Sequence, residues 1–280
     1  MTTLVRRHLT LFFKDKASVF FSLFSVFIII ALYILFLSEN MMASLPEFEG
    51  RVAFVFLWMF AGIIAVTTAT ATLGALGKYM EDKVAKKSED LLMTKVTRQT
   101  LAYSYVFYVF VVGLILTALL LVFGYVYVGV KFADGLQLSL SLLAVVLLST
   151  LMHTLLFYLI TEKLLTMSAF SGLATIVGTL IGFMAGIYIP IGVLPVYLQK
   201  IITLFPTTQT AVLVKDVLMD DVLSSMQTMI PEAAYDELVF RLGIQLEWNG
   251  QVLASSFSWI YMLVLTLILC GIVWWRNRRI

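Results

Sequence analysis

Charged residues are scarce in this 280-residue sequence: Asp, Glu, Lys and Arg make up 13% of it, about half the share that soluble domains usually carry. Hydrophobic residues make up 61%, and the mean hydropathy is +0.99. A folded soluble chain cannot hide such an excess, because its surface has to present polar groups to water. The proportions exclude a soluble enzyme and a collagen-like fibre, and the 21 Phe and 12 Tyr residues exclude a disordered chain.

The residues of metal and nucleotide sites are also missing. Cys270 is the only cysteine, so no intrachain disulfide can form, and His8 and His153 are the only histidines, so no His/Cys cluster has metal spacing. Gly77-Lys78-Tyr79 lacks the upstream glycine and the hydroxyl of a phosphate-binding loop, and no G-x-S-x-G motif is present. We therefore expect this chain to bind no cofactor or metal and not to be an enzyme by itself.

Long apolar runs without any Asp, Glu, Lys or Arg dominate what is present. Each is long enough to cross a bilayer as a helix, in which every backbone amide is bonded internally. The first run is too long for a signal peptide and lacks a convincing cleavage site. We predict an all-α polytopic membrane protein, a single domain over residues 1–280 with six transmembrane helices. The predicted spans are 18–38, 52–77, 101–127, 136–160, 169–189 and 252–275.

Lysine and arginine are distributed unequally between the two sides that these spans define. With both termini on one side, that side has fourteen Lys and Arg residues and the other has five, whereas acidic residues number six and eleven. Because basic residues are retained in the cytoplasm, both termini are predicted to be cytoplasmic.

Residues 1–16 have the pattern of an amphipathic helix lying in the lipid headgroup layer. At 100° per residue, Arg6, Arg7, Thr10 and Lys14 share one arc, opposite a wide apolar arc. The alternative is a flanking positive charge that only orients the first span.

The loop 78–100 is charged and compatible with a helix. Leu91 and Leu92 lie between acidic and basic positions, which is typical of a short helix that docks in a groove of a partner. A solvated helix with charge pairs such as Glu81 with Lys83 explains the same composition, and the sequence alone does not separate the two.

The segment 190–250 is predicted to lie outside the membrane except for a re-entrant part. It is too apolar at its start for a free loop and too often interrupted by proline for a span. Pro195 is expected in the first turn of a short helix that ends near Leu204 and either dips into the outer leaflet or lies flat on it. Residues 207–250 are expected to continue outside, with a helix that begins at Pro231 and a turn at Asn249-Gly250.

Two polar features lie within the spans. Thr67, Thr68, Thr70 and Thr72 either pack against neighbouring helices or line a polar translocation path. His153 is expected to be a hydrogen-bonded helix contact rather than a proton relay. Since ion-coupled transporters usually place carboxylates at membrane depth, the energy for any pumping should come from another chain.

Taken together, these features resemble the permease subunits of ABC exporters of the second type, which include bacterial drug, antibiotic, bacteriocin and polysaccharide exporters. The stretch from Met80 through Leu91-Leu92-Met93-Thr94-Lys95-Val96-Thr97-Arg98 is similar to the family's coupling helix, although many members have proline at the position of Lys95. Gly182-Phe183 through Leu204-Phe205-Pro206 is similar to its outer re-entrant hairpin. For ATPase coupling the resemblance implies Glu81, Asp82, Glu89, Asp90, Leu91, Leu92, Thr97 and Arg98, and for an external gate it implies Gly186, Pro190, Pro195, Phe205 and Pro206.

The resemblance also implies a function and partners. We expect a permease in the bacterial cytoplasmic (inner) membrane, surrounded by lipid and not bound to nucleic acid, that moves lipophilic or amphipathic molecules out of the cell. It would pair with a second copy or a homologous permease, and a separate cytoplasmic ABC ATPase would use ATP and Mg²⁺. An ATP-independent channel or scramblase, and a sensor or immunity protein that sequesters its ligand, are the alternatives.

Overall fold

The computed structural model describes residues 1–32, 35, 38–45, 47–48, 50–131 and 139–278. Apart from one short hairpin, the regular structure is helical, because a chain this apolar has to bond its backbone amides internally. The helices are α1 (Thr2–Lys14), α2 (Lys16–Leu32), α3 (Ser38–Ser44), α4 (Arg51–Val84), α5 (Lys87–Leu92), α6 (Arg98–Lys131), α7 (Leu140–Thr161), α8 (Met167–Met184), α9 (Val196–Thr203), α10 (Pro206–Met229), α11 (Glu232–Arg241) and α12 (Ser255–Arg278). Strands β1 (Leu246–Trp248) and β2 (Gln251–Leu253) form the antiparallel hairpin.

Five described helices are long and apolar enough to cross a membrane, namely α4, α6, α7, α8 and α12, and α9 with α10 would form a sixth crossing if that bent pair is one span. The prediction of an all-α polytopic membrane protein is therefore confirmed. The predicted first span, 18–38, overlaps the 17-residue α2, but residues 33, 34, 36 and 37 lie outside the described part of the chain. The predicted start of the fourth span at Leu136 lies outside it as well.

Helix α4 is the centre of the bundle and contacts α2, α6, α7, α8 and α10. Small residues let these helices approach closely: a Cβ atom on Gly113 of α6 would lie 2.7 Å from side-chain carbons of both Thr72 and Thr150. Because α4 is buried on nearly all sides, a displacement of α4 has to displace its neighbours as well.

The loop predicted at 78–100 is shorter in the structure. Helix α4 continues through Lys78 to Val84, seven residues beyond the predicted end of the span. Lys86 then takes a left-handed conformation (φ 57°), which reverses the chain before α5, and α6 begins at Arg98. We call this end of the bundle, formed by α1, α5, the α7–α8 turn and the last turn of α12, the α5 end.

The segment after α8 returns into the bundle, and the prediction that 207–250 lies outside is wrong for its first part. Residues 207–215 of α10 are buried on every side, where α10 packs against α4, α7 and α12. The short helix after Pro195 is confirmed as α9, and α10 leaves it at an angle of 88°.

The last part of this segment folds against the opposite end of α4. Helix α11 follows Pro231, as predicted, and Asn249-Gly250 forms the predicted turn, with both residues at positive φ (54° and 79°). The two strands around this turn were not predicted, and α12 begins at Ser255 rather than at 252. We call this region, α11 with the β1–β2 hairpin and the 3-10 turn Ile191–Val193, the α11 end.

Candidate coupling and gating sites

Helix α5 presents an acidic face to solvent and an apolar face to the bundle. Glu89 and Asp90 are exposed, whereas Leu91 and Leu92 are half-buried and pack against the core. Met93, directly after the helix, is 88% exposed. The arrangement leaves carboxylates and one apolar side chain available to a partner while two leucines fix the helix to its own chain.

The other predicted coupling residues flank α5. Thr97 accepts a hydrogen bond from the backbone N–H of Thr100 (3.2 Å) at the start of α6, and Arg98 is exposed. Glu81 is exposed and pairs with Lys78 one turn earlier on α4 (2.5 Å). These three residues lie on the surface of the α5 end, so a partner can reach them.

Asp82, which was predicted with them as an ATPase-coupling residue, is not on that surface and cannot contact a partner directly. Its side chain is fully buried, and Oδ2 accepts hydrogen bonds from Arg7 Nη1 (3.1 Å) and from the Tyr105 hydroxyl (2.9 Å). Of the predicted polar arc of α1, Arg6, Thr10 and Lys14 are exposed, and Arg7 is the exception, because its guanidinium pairs with Asp82 of α4. Asp82 therefore joins α1, α4 and α6.

His8 is the second buried contact of α1. Its ring stacks on Tyr105 with a centroid distance of 4.1 Å, and Nε2 lies 3.3 Å from the Ser104 hydroxyl. The Ser104 hydroxyl gives its own hydrogen to the carbonyl of Leu101 (2.7 Å), so His8 Nε2 is the donor. His8 Nδ1 is then the acceptor that faces Arg7 Nη1 (3.3 Å).

This geometry requires a neutral His8. Burial first, and then the neighbouring guanidinium of Arg7, lowers the pKa of His8 from its ordinary value of 6.5 to about 4, against the opposing effect of Asp82. A proton on Nδ1 would meet the guanidinium and end its hydrogen bond. The docking of α1 is thus arranged for the neutral imidazole.

Lys83, the residue after Asp82, connects α4 to a different pair of helices. Its Nζ donates to the carbonyls of Glu162 (2.6 Å) and Leu164 (2.7 Å) at the end of α7, where unpaired helical carbonyls attract a cation. The Glu162 carboxylate pairs with Arg276 of α12 (3.3 Å). Lys83 and Glu162 together connect α4, α7 and α12.

The threonines that were candidates for a translocation path bond to their own helix. The hydroxyls of Thr67, Thr68, Thr70 and Thr72 each donate to a carbonyl three or four residues earlier in α4. Thr67, Thr68 and Thr72 are fully buried, and Thr70 is partly exposed to solvent. This pattern favours helix packing over a polar path in the chain as described.

Thr68 belongs to a buried contact between three helices. His153 of α7 lies with Nδ1 3.3 Å from Thr68 Oγ1 and 2.9 Å from the Ser149 carbonyl, to which it donates. Its Nε2 accepts from the hydroxyl of Thr207 on α10 (3.1 Å). Both ring nitrogens have partners, which agrees with the expectation of a hydrogen-bonded helix contact.

The predicted gate residues lie at the bends between α8, α9 and α10. Gly186 has a positive φ of 69°, which favours glycine and turns the chain out of α8. Pro195 precedes α9, and Pro206 begins α10 directly after the partly exposed Phe205. Pro190 precedes the 3-10 turn.

Thr208 fastens these bends to one another. Its hydroxyl lies within hydrogen-bond distance of the carbonyls of Met184 at the end of α8 (2.8 Å) and Ile202 in α9 (2.7 Å). Gln209, the next residue, donates to the Thr203 carbonyl (2.5 Å) and accepts from Ser258 of α12 (2.7 Å). The start of α10 is therefore bonded to the ends of α8 and α9 and to α12.

The structural role of Lys215 was not predicted, because in the sequence Lys215 was only one of the five basic residues on the side opposite the termini. It is 1% exposed, and its Nζ donates to the carbonyls of Leu242 (3.3 Å) and Gly243 (3.2 Å) after α11, while it lies 4.9 Å from the ring centre of Trp58. The Trp58 indole N–H donates to the same Leu242 carbonyl (2.8 Å). A lysine directly after the apolar run Ala211–Val214 was the available signal.

In the described ranges, no group of three or more His, Cys, Asp or Glu side chains is placed to hold a metal ion. Comparisons with protein-family models, with curated proteins and with solved structures gave no match. The function of the chain has therefore to be argued from its own geometry.

Proposed function

We propose that this chain is the membrane-spanning subunit of an ATP-driven exporter of the second ABC type. It moves lipophilic or amphipathic molecules out of the cell, with energy from a separate ATPase that binds ATP and Mg²⁺. Two permease chains, identical or homologous, form the complex in the cytoplasmic membrane, with both termini and α5 in the cytoplasm. α2 belongs to the first of six spans, and α9 with α10 is a re-entrant hairpin.

The observation that carries this proposal is the position of α5. It is a short helix held between the last turn of α4 and the first turn of α6, and its acidic face is open to a partner. Leu91 and Leu92 fasten its other face to the core. A force applied to α5 is therefore transmitted to α4, which contacts most of the other spans.

The composition of the spans supports an energy source outside the chain. The six predicted runs hold no Asp, Glu, Lys or Arg that an ion gradient could use, and the sequence has no phosphate-binding loop. A route lined by these six apolar runs suits lipophilic or amphipathic cargo better than small ions, because an ion there would lose its hydration without compensation.

The bend between α9 and α10 suits an external gate. Thr207, the second residue of α10, contacts His153 and thereby the middle of α4 at Thr68, whereas Lys215, about two turns on, lies beside Trp58 near the start of α4. The hairpin thus reaches from the α11 end to the middle of the bundle, where a rotation about Phe205-Pro206 would open or close a route.

The test is transport by inside-out vesicles that contain the chain and the ABC ATPase with which it copurifies. With ATP and Mg²⁺, we expect such vesicles to accumulate a lipophilic fluorescent dye, and an ATPase variant unable to hydrolyse ATP to accumulate none. If the purified chain alone equilibrates the dye or a labelled lipid without ATP, the chain is a channel or scramblase and the proposal is wrong. Binding of the dye without movement would identify a sequestering protein instead.

A further inference from the structure

We propose that Asp82 and Lys83 are positioning residues that divide a movement of α5 between two separate groups of helices. Asp82 transmits the movement to α1 through its ion pair with Arg7. Lys83 transmits it to α7 and α12 through its bonds to the turn at Glu162. The inference rests on the proposed function for the origin of the movement, but the connections themselves are properties of the chain alone.

The first connection is a buried ion pair with a hydroxyl beside it. Asp82 has no exposure to solvent, and Arg7 keeps 34% of its side chain exposed. Tyr105 bonds the same carboxylate oxygen and also stacks on His8, so α1 is attached at two neighbouring side chains. Because a buried carboxylate without its cation is costly, α1 has to follow the last turn of α4.

The second connection uses the neighbouring residue and a different direction. Successive residues of a helix point about 100° apart, so Lys83 faces α7 while Asp82 faces α1 and α6. The Lys83 ammonium bonds two carbonyls that end α7, and the Glu162 side chain continues the connection to Arg276. Neither connection shares a side chain with the other.

With this arrangement, a movement of α5 reaches two separate groups of helices. Only two residues separate Lys83 from Lys86, where the chain reverses into α5, so a tilt of α5 rotates the turn that carries both side chains. The connection through Asp82 moves α1 at the membrane surface, and the connection through Lys83 moves the ends of α7 and α12. Loss of one side chain should therefore disconnect one group of helices and leave the other attached.

The experiment measures two distances by pulsed electron spin resonance in the detergent-purified full chain, with Cys270→Ser as the background. One pair of spin labels is at Thr10 on α1 and Lys87 on α5, and the other is at Lys87 and Lys163 in the α7–α8 turn, all exposed positions. Asp82→Ala should broaden the distance distribution of the first pair, shift it to longer distances and leave the second pair unchanged. Lys83→Met should change the second pair in this way and leave the first unchanged.

Two further variants keep the result interpretable. Glu81→Ala removes the neighbouring carboxylate, which is exposed and pairs only within α4, so both distances should stay as in the unsubstituted chain. Arg7→Gln should reproduce the effect of Asp82→Ala from the half-exposed side, even if the buried substitution prevents folding. If Arg7→Gln and Lys83→Met change the same distance, or neither changes any, the division between two groups of helices is refuted.

The outcome separates this inference from the proposed function. Two selective distance changes without any ATP-driven uptake by the unsubstituted complex would retain the connections and refute the exporter. ATP-driven uptake with unchanged distances in both variants would retain the exporter and refute the connections. In the complex, Arg7→Gln should lower uptake several-fold while ATP hydrolysis continues, and unchanged uptake per ATP would contradict a positioning role.

Discussion

Both ends of α4 are fastened to other helices through buried polar groups, but the chemistry differs between the α5 end and the α11 end. At the α5 end, opposite charges meet: Arg7 with Asp82, and Arg276 with Glu162. At the α11 end, the buried ammonium of Lys215 bonds backbone carbonyls and lies over Trp58, and no carboxylate of the described residues pairs with it. Lys83 at the α5 end also bonds backbone carbonyls, so the bonds to carbonyls are common to both ends and the ion pairs are not. Arg7 keeps 34% of its side chain exposed, whereas Lys215 is 1% exposed, so water can help the contacts of the α5 end to rearrange but does not reach the contact at the α11 end. The α5 end is therefore suited to transmit movement, and the α11 end to hold a fixed position.

The sharpest way to break this comparison is to remove the fixed contact. Trp58→Ala deletes a fully buried ring and its bond to Leu242, which should lower the free energy of unfolding by about 3–5 kcal/mol. Urea unfolding in detergent micelles measures this. Trp58→Phe retains most of the volume and should lose only about 1 kcal/mol, for the hydrogen bond. Equal losses in the two variants would contradict a packing role for the ring.

The next largest effect concerns the ion pair at the α5 end. Asp82→Ala should lower the free energy of unfolding by about 1–3 kcal/mol, less than for a fully buried pair, because Arg7 can turn to water. Glu81→Ala is the matched control and should change it by about 0.5 kcal/mol or less, since its pair with Lys78 is exposed. The same urea titration measures both, and a larger loss in the control would invalidate the assignment of the buried pair.

A pH titration sharpens the comparison further, because His8 lies at the α5 end only. The pKa of His8 is lowered from 6.5 to about 4, mainly by burial. Between pH 6.5 and about 4, the state with α1 docked therefore binds fewer protons than the state with α1 undocked. Docking of α1 should weaken as the pH falls from about 6.5 to about 4. The distribution of the Thr10–Lys87 spin-label distance should broaden over that pH range, and His8→Gln should abolish the broadening that is due to protonation of His8. A broadening that appears only as the pH rises would have the wrong sign.

The smallest effects are expected in the middle of α4, between the two ends. Thr68→Ala removes a hydroxyl that contacts His153, and should cost about 1 kcal/mol of unfolding free energy. Thr70→Ala removes a hydroxyl bonded only to its own helix at a partly exposed position, and should cost about 0.5 kcal/mol or less. If the four threonines instead formed a transport path, Thr70→Ala would alter dye uptake more than stability.

The sequence predicted the helices well where a single rule decides them. Long uncharged runs produced α4, α6, α7, α8 and α12, and proline and Asn-Gly positions fixed the starts of α9 and α11 and the turn of the hairpin. It failed for the first part of α10, because the acidic residues that follow, from Asp216 onward, favoured a position outside for the whole segment, whereas residues 207–215 are buried. A lysine that bonds carbonyls distant in sequence cannot be recognised from local composition.

The candidate site shows the same division. The exposure of Glu89 and Asp90 followed from charge in a short helix, but the burial of the equally acidic Asp82 depends on Arg7 and Tyr105, which lie 75 and 23 residues away. Helical arcs placed Arg7 with Arg6 at the membrane surface. Arg6 is exposed as the arc requires, and Arg7 departs from it because the Asp82 carboxylate on α4 attracts its guanidinium.

The most direct test of the account measures dye uptake and ATP hydrolysis together in the vesicle complex with Asp90→Ala and Leu91→Ala combined. Asp221→Ala with Val222→Ala, an acid followed by an aliphatic residue on α10 far from α5, is the control pair. The account predicts that the α5 variant hydrolyses ATP without moving dye, while the control transports as the unsubstituted complex does. Unchanged uptake per ATP in the α5 variant, with the complex still assembled, would contradict the claim that the energy for transport enters through α5.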